Sequence, residues 1–469
     1  LYKLVCGIET HIELLCETKI FCSCRAEFGG EPNTRCCPVC TGQAGALPVL
    51  NRKAVELAIK AGLAVNCRIN RASHMDRKNY FYPDLPKAYQ ISQFDEPLCV
   101  DGYIELDSGK RIGIERIHIE EDAGKLIHEN GYTYIDYNRG GVALIEVVSR
   151  ADIETPEEAK EYAEKLQLIM RSAGISDCKM QEGSMRCDVN VSIHKDGEEW
   201  GTRTEIKNIG SLTGVMKAIR LEAKRQEQIL ENGGKIVQST MRYDEDNARV
   251  YVLRTKENSD DYRYFPEPDT VRFSVSDEEI ENIRKTLPEL PDEKLRRYVN
   301  EMKLPENKVR LIYKYKNATA FFDEAVSEGA SAENALNLII ATVYATLKTE
   351  AEKEKFNLKI SAKQFSQLVK LADEKKIKIN KAKEILPKML ETGKSATDFI
   401  SSDDMSGMDE ASLIELCQRA VEANQKAVED IKSGKDKAIN ALFGFIMKES
   451  RGKADIKEAE RIIREIIGK

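Results

Sequence analysis

The stretch Gly7 to Leu14, GIETHIEL, alternates apolar and polar side chains with a period of two. That period belongs to a half-buried β-strand, so Glu9, His11 and Glu13 share one face while Ile8, Ile12 and Leu14 line the other. The pattern returns along the chain. In MRCDVNVSIH (Met185 to His194), Arg186, Asp188, Asn190 and Ser192 oppose Cys187, Val189, Val191 and Ile193. Arg203, Glu205 and Lys207 align in RTEIKNI, and His118 and Glu120 alternate with Ile117 and Ile119 in RIGIERIHIE. Glu146 interrupts the apolar run VALIEVV, where an unpaired carboxylate is costly. One such strand describes only an antiparallel sheet with a solvated face. Several strands that each bring carboxylates, with an imidazole and a few cations among them, point to oxygen-rich metal binding that suits Mg²⁺ or Mn²⁺ better than zinc. Carboxylate-held metal with Arg and Lys is what phosphoryl transfer from ATP requires. The chain has no Gly-x-x-x-x-Gly-Lys-Ser/Thr loop, which excludes a P-loop nucleotide site.

Helices lie between these strands. Thr155 is placed to cap a helix from Pro156 to Ala173, with Glu158 completing a capping box and Gly174 closing the end. A second helix is expected from about Leu212 to Asn232. At 469 residues the chain is too long for one core and calls for about two to four domains. After DYRYFPEPD (Asp261 to Asp269) the composition turns Lys/Glu-rich with helical periodicity, and FISSDDMSGMDE (399–410) reads as a linker. The expected fold is α+β: a mixed, largely antiparallel N-terminal sheet domain over 1–275, followed by two all-α domains over 276–398 and 399–469.

The net charge of −7 marks no nucleic-acid partner by itself, so any such contact has to be local. No run of about 18 apolar residues suggests a membrane span, and the start carries no apolar signal core. A reducing, cytoplasmic setting with free thiols is therefore expected. Five of the twelve cysteines crowd into FCSCRAEFGGEPNTRCCPVC, Phe21 to Cys40. Cys22-x-Cys24 and Cys37-x-x-Cys40, twelve residues apart, suit a closed tetrahedral four-thiolate zinc site, structural rather than catalytic, with Cys36 left over.

GIETHIEL, the cysteine cluster followed by GALPVLN, DRKNYFYPDLPKAYQISQ, IHIEEDAGK, GSMRCDVNVS, TEIKNI and DYRYFPEPD occur in this order. Together they resemble the B subunits of the tRNA-dependent amidotransferases over nearly the whole chain. The resemblance implies a kinase and transamidase subunit with a catalytic cradle. By this resemblance, ATP is expected to phosphorylate the side-chain carboxylate of mischarged Glu-tRNA(Gln) or Asp-tRNA(Asn), and ammonia then to displace the phosphate. It also implies an amidase partner that channels ammonia from glutamine, and a small third subunit. Carried over position by position, Glu9, His11, Glu121, Glu146 and Glu205 are the expected Mg²⁺ ligands, with Asp188 a further ligand or an ammonia-handling group. Strand alternation favours Glu120 where the motif favours Glu121. Lys78, Arg186 and Lys207 are the expected phosphate contacts, and Tyr80 and Tyr82 are read as core aromatics in preference to a platform near the tRNA 3′ end.

From Lys435 to Lys469 nine Lys/Arg stand against six Asp/Glu, a weak footprint for RNA that the likeness of KAINALFGFIMKESRGKAD to the family's tRNA-contacting tail strengthens. The rival reading is a non-catalytic zinc-ribbon protein that binds RNA and assists assembly. The acids on several strands, Glu146 above all, argue against it.

Overall fold

The computed structural model describes residues 2–255, 262–401, 410–433, 435–450 and 454–468. Most of the expected linker (402–409), Asp261, and Arg451, Lys453 and Lys469 of the tail lie outside the described residues.

Nine strands form the main sheet: β1 (Tyr2–Glu13), β2 (Arg68–Ile69), β3 (Cys99–Glu105), β4 (Arg111–Glu121), β5 (Ala143–Ser149), β6 (Met185–Lys195), β7 (Thr204–Ile209), β8 (Ser239–Asp244) and β9 (Arg249–Thr255). Their spatial order is β9-β8-β7-β6-β1-β5-β4-β3-β2. Every pairing is antiparallel except β7 with β8, which is parallel. The first strand of the chain thus becomes the middle of the sheet.

Alternation explains the two faces. Ile8 and Ile12, Ile117 and Ile119, Ile145 and Val147, and Val189 and Val191 sink into one apolar core with residues of α1 (Arg52–Ala64), α2 (Pro156–Ser172) and α3 (Leu212–Glu231). Each such side chain stabilises the fold by about 1.5–3 kcal/mol, so a one-residue slip that turned them outward is strongly disfavoured. Helix α2 begins where its sequence directs: Thr155 Oγ1 accepts from Glu158 N at 3.1 Å and Gly174 beyond its end has φ 70°, while the Glu158 carboxylate expected to complete a capping box accepts from Glu154 N at 2.8 Å. At Gly102 in β3 an added Cβ would lie 2.4 Å from Cys67 Sγ and 2.6 Å from Val65 O, so the backbone approach there requires glycine.

The chain divides into two compact units, Leu1–Pro291 and Asp292–Lys469. Helix α4 (Asp277–Arg284) lies beyond the composition change yet buries Ile280 in the core of the first unit, so that unit continues past residue 275. The second unit is helical among the described residues and holds two separate apolar clusters. One surrounds Tyr298, Phe322 and Phe365; the other surrounds Cys417, Leu442 and Ile463. No helix among the described residues is long and apolar enough to cross a membrane.

Candidate active site

The polar face of the sheet is assembled by register. His11 of β1 sits opposite Glu146 of β5, which sits opposite His118 of β4. On the other side Glu9 faces Asp188 of β6, and Asn190 faces Glu205 of β7. Five strands therefore contribute to one floor.

Two acidic groups stand on it. In the first, His11 Nε2 lies 3.5 Å from Glu120 Oε1 and 3.5 Å from Glu146 Oε2. His118 Nε2 approaches Glu146 to 3.3 Å and Glu120 to 3.7 Å, and the Ser92 hydroxyl donates to Glu120 at 3.2 Å. Glu120, Glu146 and His118 are buried. Burial opposes the imidazolium of His11, but Glu146 and Glu120 outweigh it and raise the group to about 9. Burial likewise opposes charge on Glu146, and His118 and His11 overcome it, holding that carboxyl well below its usual range. One donor atom from each of His11, Glu120 and Glu146 falls within a common 4.8 Å, a set that fits a hard divalent cation.

In the second group, donor atoms of Glu9, Asp188 and Glu205 also lie within 4.8 Å of one another. Lys207 Nζ joins them, 3.0 Å from Asp188 and 2.9 Å from Glu205, and Asn190 donates to Glu9 at 2.8 Å. Burial, then the nearby Glu146 and Glu205, raise Glu9 above the usual carboxylate value. Beside this group Arg186 pairs with Asp122 at 3.0 Å.

His11 and Glu120 of the first group, and Asp188 and Lys207 of the second, line a cleft of about 990 Å³. Lys78 projects into it from the short strand Asp76–Asn79, its Nζ 5.2 Å from the Tyr262 ring centroid. Tyr80 and Tyr82 also line the cleft, and Tyr82 is 57% exposed, so Tyr82 is no core aromatic.

Glu121, expected as a ligand, stands apart from both acidic groups. Alternation turns it to the other face of β4, where Lys87 Nζ approaches its Oε2 at 2.6 Å and Ile91 N donates to it at 2.9 Å. Glu120 takes the place expected of Glu121. His118, Asn190 and Asp122 were not among the expected site residues. His118 was within reach of the same alternation that placed Glu120. Asp122 follows the strand end, where periodicity no longer assigns a face.

Cys22, Cys24, Cys37 and Cys40 converge with their Sγ atoms within 4.8 Å, while Cys36 turns toward Asn138 at 3.8 Å. Lys19, fully buried, donates to Cys40 Sγ at 3.5 Å and to Tyr137 O at 3.0 Å. The Cys40 thiol is lowered to about 4, first by a hydrogen bond from Cys22, and then by Cys37 N–H and Lys19.

Fold and site together define a protein with an acid- and imidazole-lined cleft on a broad sheet, a four-cysteine cluster and a helical C-terminal unit. The chain belongs to the GatB/GatE family: the profile of the GatB/GatE catalytic domain matches residues 4–281, and that of the GatB domain matches residues 320–467. Relatives named as the B subunit of an aspartyl/glutamyl-tRNA(Asn/Gln) amidotransferase are similar over their full length. The protein of Caldicellulosiruptor saccharolyticus is 48% identical, covering 100% of this chain and 99% of its own. That of Caldanaerobacter subterraneus subsp. tengcongensis is 48% identical over 100% of both chains. That of Clostridium botulinum (strain Loch Maree) is 46% identical over 99% of this chain and 98% of its own.

Proposed function

We propose that the cleft converts Glu-tRNA(Gln), Asp-tRNA(Asn) or both to the amide in two ATP-dependent steps, in the cytoplasm. The observation that carries this reading is the His11–Glu120–Glu146 cluster at the cleft floor, its two carboxylates buried, with Lys78, Arg186 and Lys207 lining the same cleft. Carboxylates buried at such cost are expected where they hold a cation or stabilise a reacting group. His11, Glu120 and Glu146 would hold Mg²⁺, with Glu9, Asp188 and Glu205 as a second acidic set. The ion would neutralise phosphate charge as the substrate carboxylate attacks the terminal phosphorus of ATP and ADP leaves. Lys78, Arg186 and Lys207 add positive charge along the cleft, where the transferred phosphoryl group has to be steadied. Ammonia then attacks the acyl phosphate, the C–O bond to phosphate breaks, and a nearby carboxylate takes the proton lost from nitrogen; Asp188 is suited to that role. The relatives are named as one subunit of a larger enzyme, which supports partner chains, here an amidase that releases ammonia from glutamine and a small third subunit.

The four thiolates would hold zinc as a structural clasp: four converging sulfurs, one already favoured as thiolate, fit a closed tetrahedral site. We assign the cradle to the sheet domain beginning at residue 1, and the two apolar clusters of the second unit to two helical bodies, the last of which contacts tRNA. The decisive experiment reconstitutes the complex with Glu146→Gln or His11→Ala. ATP-dependent amidation should vanish while the partner's glutaminase activity persists; amidation retained by either variant removes that residue from the metal site.

A further inference from the structure

Arg263 holds an uncommon backbone conformation at the cleft wall. Its φ is +45°, in the left-handed region that a long side chain rarely adopts. The conformation is clamped from both sides. The Asn79 side-chain amide donates to Tyr262 O at 3.3 Å and to Arg263 O at 2.8 Å. Tyr264 stacks on Phe94 with centroids 4.3 Å apart, and Tyr262 packs edge-on against Tyr80 at 5.9 Å. Just beyond, Phe265–Pro266 pairs with Asp76 and Arg77, and Arg77 grips Glu267 through two hydrogen bonds. The surrounding structure thus over-determines a strained residue, the condition under which strain persists at functional sites.

Arg263 is exposed and lines the cleft. Among the described residues no carboxylate pairs with its guanidinium, whereas Arg186 is engaged by Asp122 and Lys207 by Asp188 and Glu205. The same cleft exposes Phe81 and Tyr82, 76% and 57% accessible, whose ring faces can stack a nucleobase. An exposed guanidinium with no carboxylate partner among the described residues, on a cleft that also exposes aromatic faces, suits two-pronged recognition of phosphate oxygens on a nucleotide.

We infer that Arg263 is a phosphate-binding residue of the cleft, taking either the polyphosphate of ATP or a phosphodiester at the 3′ end of the aminoacyl-tRNA. The inference rests on the cleft being the amidation site. The test uses the full chain in complex with its amidase partner and compares Arg263→Ala, Arg263→Lys and Arg263→Gly with the wild type. ATP and aminoacyl-tRNA are each titrated with the other saturating, and glutaminase activity and thermal unfolding are read alongside. Arg263→Ala should raise the KM of one of the two substrates roughly 10- to 100-fold, with Arg263→Lys recovering part of the loss. Glutaminase activity stays constant. A change in the ATP arm assigns the polyphosphate; a change in the tRNA arm with a shallower salt dependence assigns the phosphodiester. Arg263→Gly separates binding from folding, because glycine relieves the left-handed strain: its Tm should equal or exceed that of the wild type while its KM rises as in the alanine variant. Wild-type KM values for both substrates in Arg263→Ala overturn this inference alone. A wild-type complex that uses neither substrate overturns the amidation reading and this inference with it.

Discussion

Adjacent residues Glu120 and Glu121 carry the same side chain and have different surroundings. Glu120 faces His11 and His118, whereas Glu121 faces Lys87 and the backbone of Ile91. Their glutamine variants should therefore fail differently. Glu120→Gln should lower ATP-dependent amidation by about 100-fold or more, in the range that loss of a transition-state electrostatic contact produces. Glu121→Gln should keep the chemistry and lose stability, by roughly 3 kcal/mol if Lys87 is left without its counter-charge. Denaturant titration together with amidation rates at low temperature separates the two effects, and equal amidation loss in both variants would contradict the geometry. His118 touches both carboxylates expected to hold Mg²⁺ without completing their common 4.8 Å set. His118→Gln should then raise the Mg²⁺ concentration needed for half-maximal activity by about 10- to 100-fold, with the saturated rate less affected. Strand alternation favours Glu120 and the family motif favours Glu121, and a bulge or strand end is needed to reconcile them. The pairing of Glu120 with Leu144 and of Glu121 with Ala143, without a bulge at that point, settles which face each one takes.

At the scale of elements, local signals were read with little loss. Thr155, Pro156 and Gly174 bound α2 where expected, because capping is a matter of a few neighbouring residues. Thr155→Ala should cost about 1 kcal/mol in chemical unfolding, with no change in the site. The close passage of β3 at Gly102 could not be read from the sequence, since the atoms it meets belong to Val65 and Cys67. Gly102→Ala should destabilise the first unit by about 1–3 kcal/mol through overpacking; a neutral substitution would show that the strand can move aside. The cysteine spacing likewise announced its own convergence, but buried Lys19, donating to Cys40, carried no signal in sequence.

For the whole molecule, the four-cysteine cluster and the acid-lined floor of the cleft belong to one compact unit. If zinc is the clasp, the wild-type chain should carry about one equivalent, and Cys22→Ser/Cys24→Ser should carry none and unfold at lower temperature. Full stability of that double variant without metal would reject the clasp. The separate cluster around Cys417, Leu442 and Ile463 gives the tail its own core. Truncation at about residue 400 should weaken tRNA binding and flatten its salt dependence; unchanged affinity would remove the tail from the RNA contact. The first unit runs past residue 275 because a Lys/Glu-rich surface does not prevent Ile280 from entering the sheet core. Composition reports the exposed face of a helix, not the body it packs against.

The sequence by itself determined which side chains share a face on the strands that build the floor, where α2 and α3 begin and end, and which four cysteines form a set. Each of these properties is written in a window of a few residues, through the period of the backbone and the chemistry of turns. Only the tertiary structure decided that β1 lies between β5 and β6, that His11 therefore meets Glu146, that Glu120 enters the site in place of Glu121, and that Lys19 and Lys87 are committed on the far side of it. Strand order and register are set by packing between residues more than a hundred positions apart, and no local period encodes them.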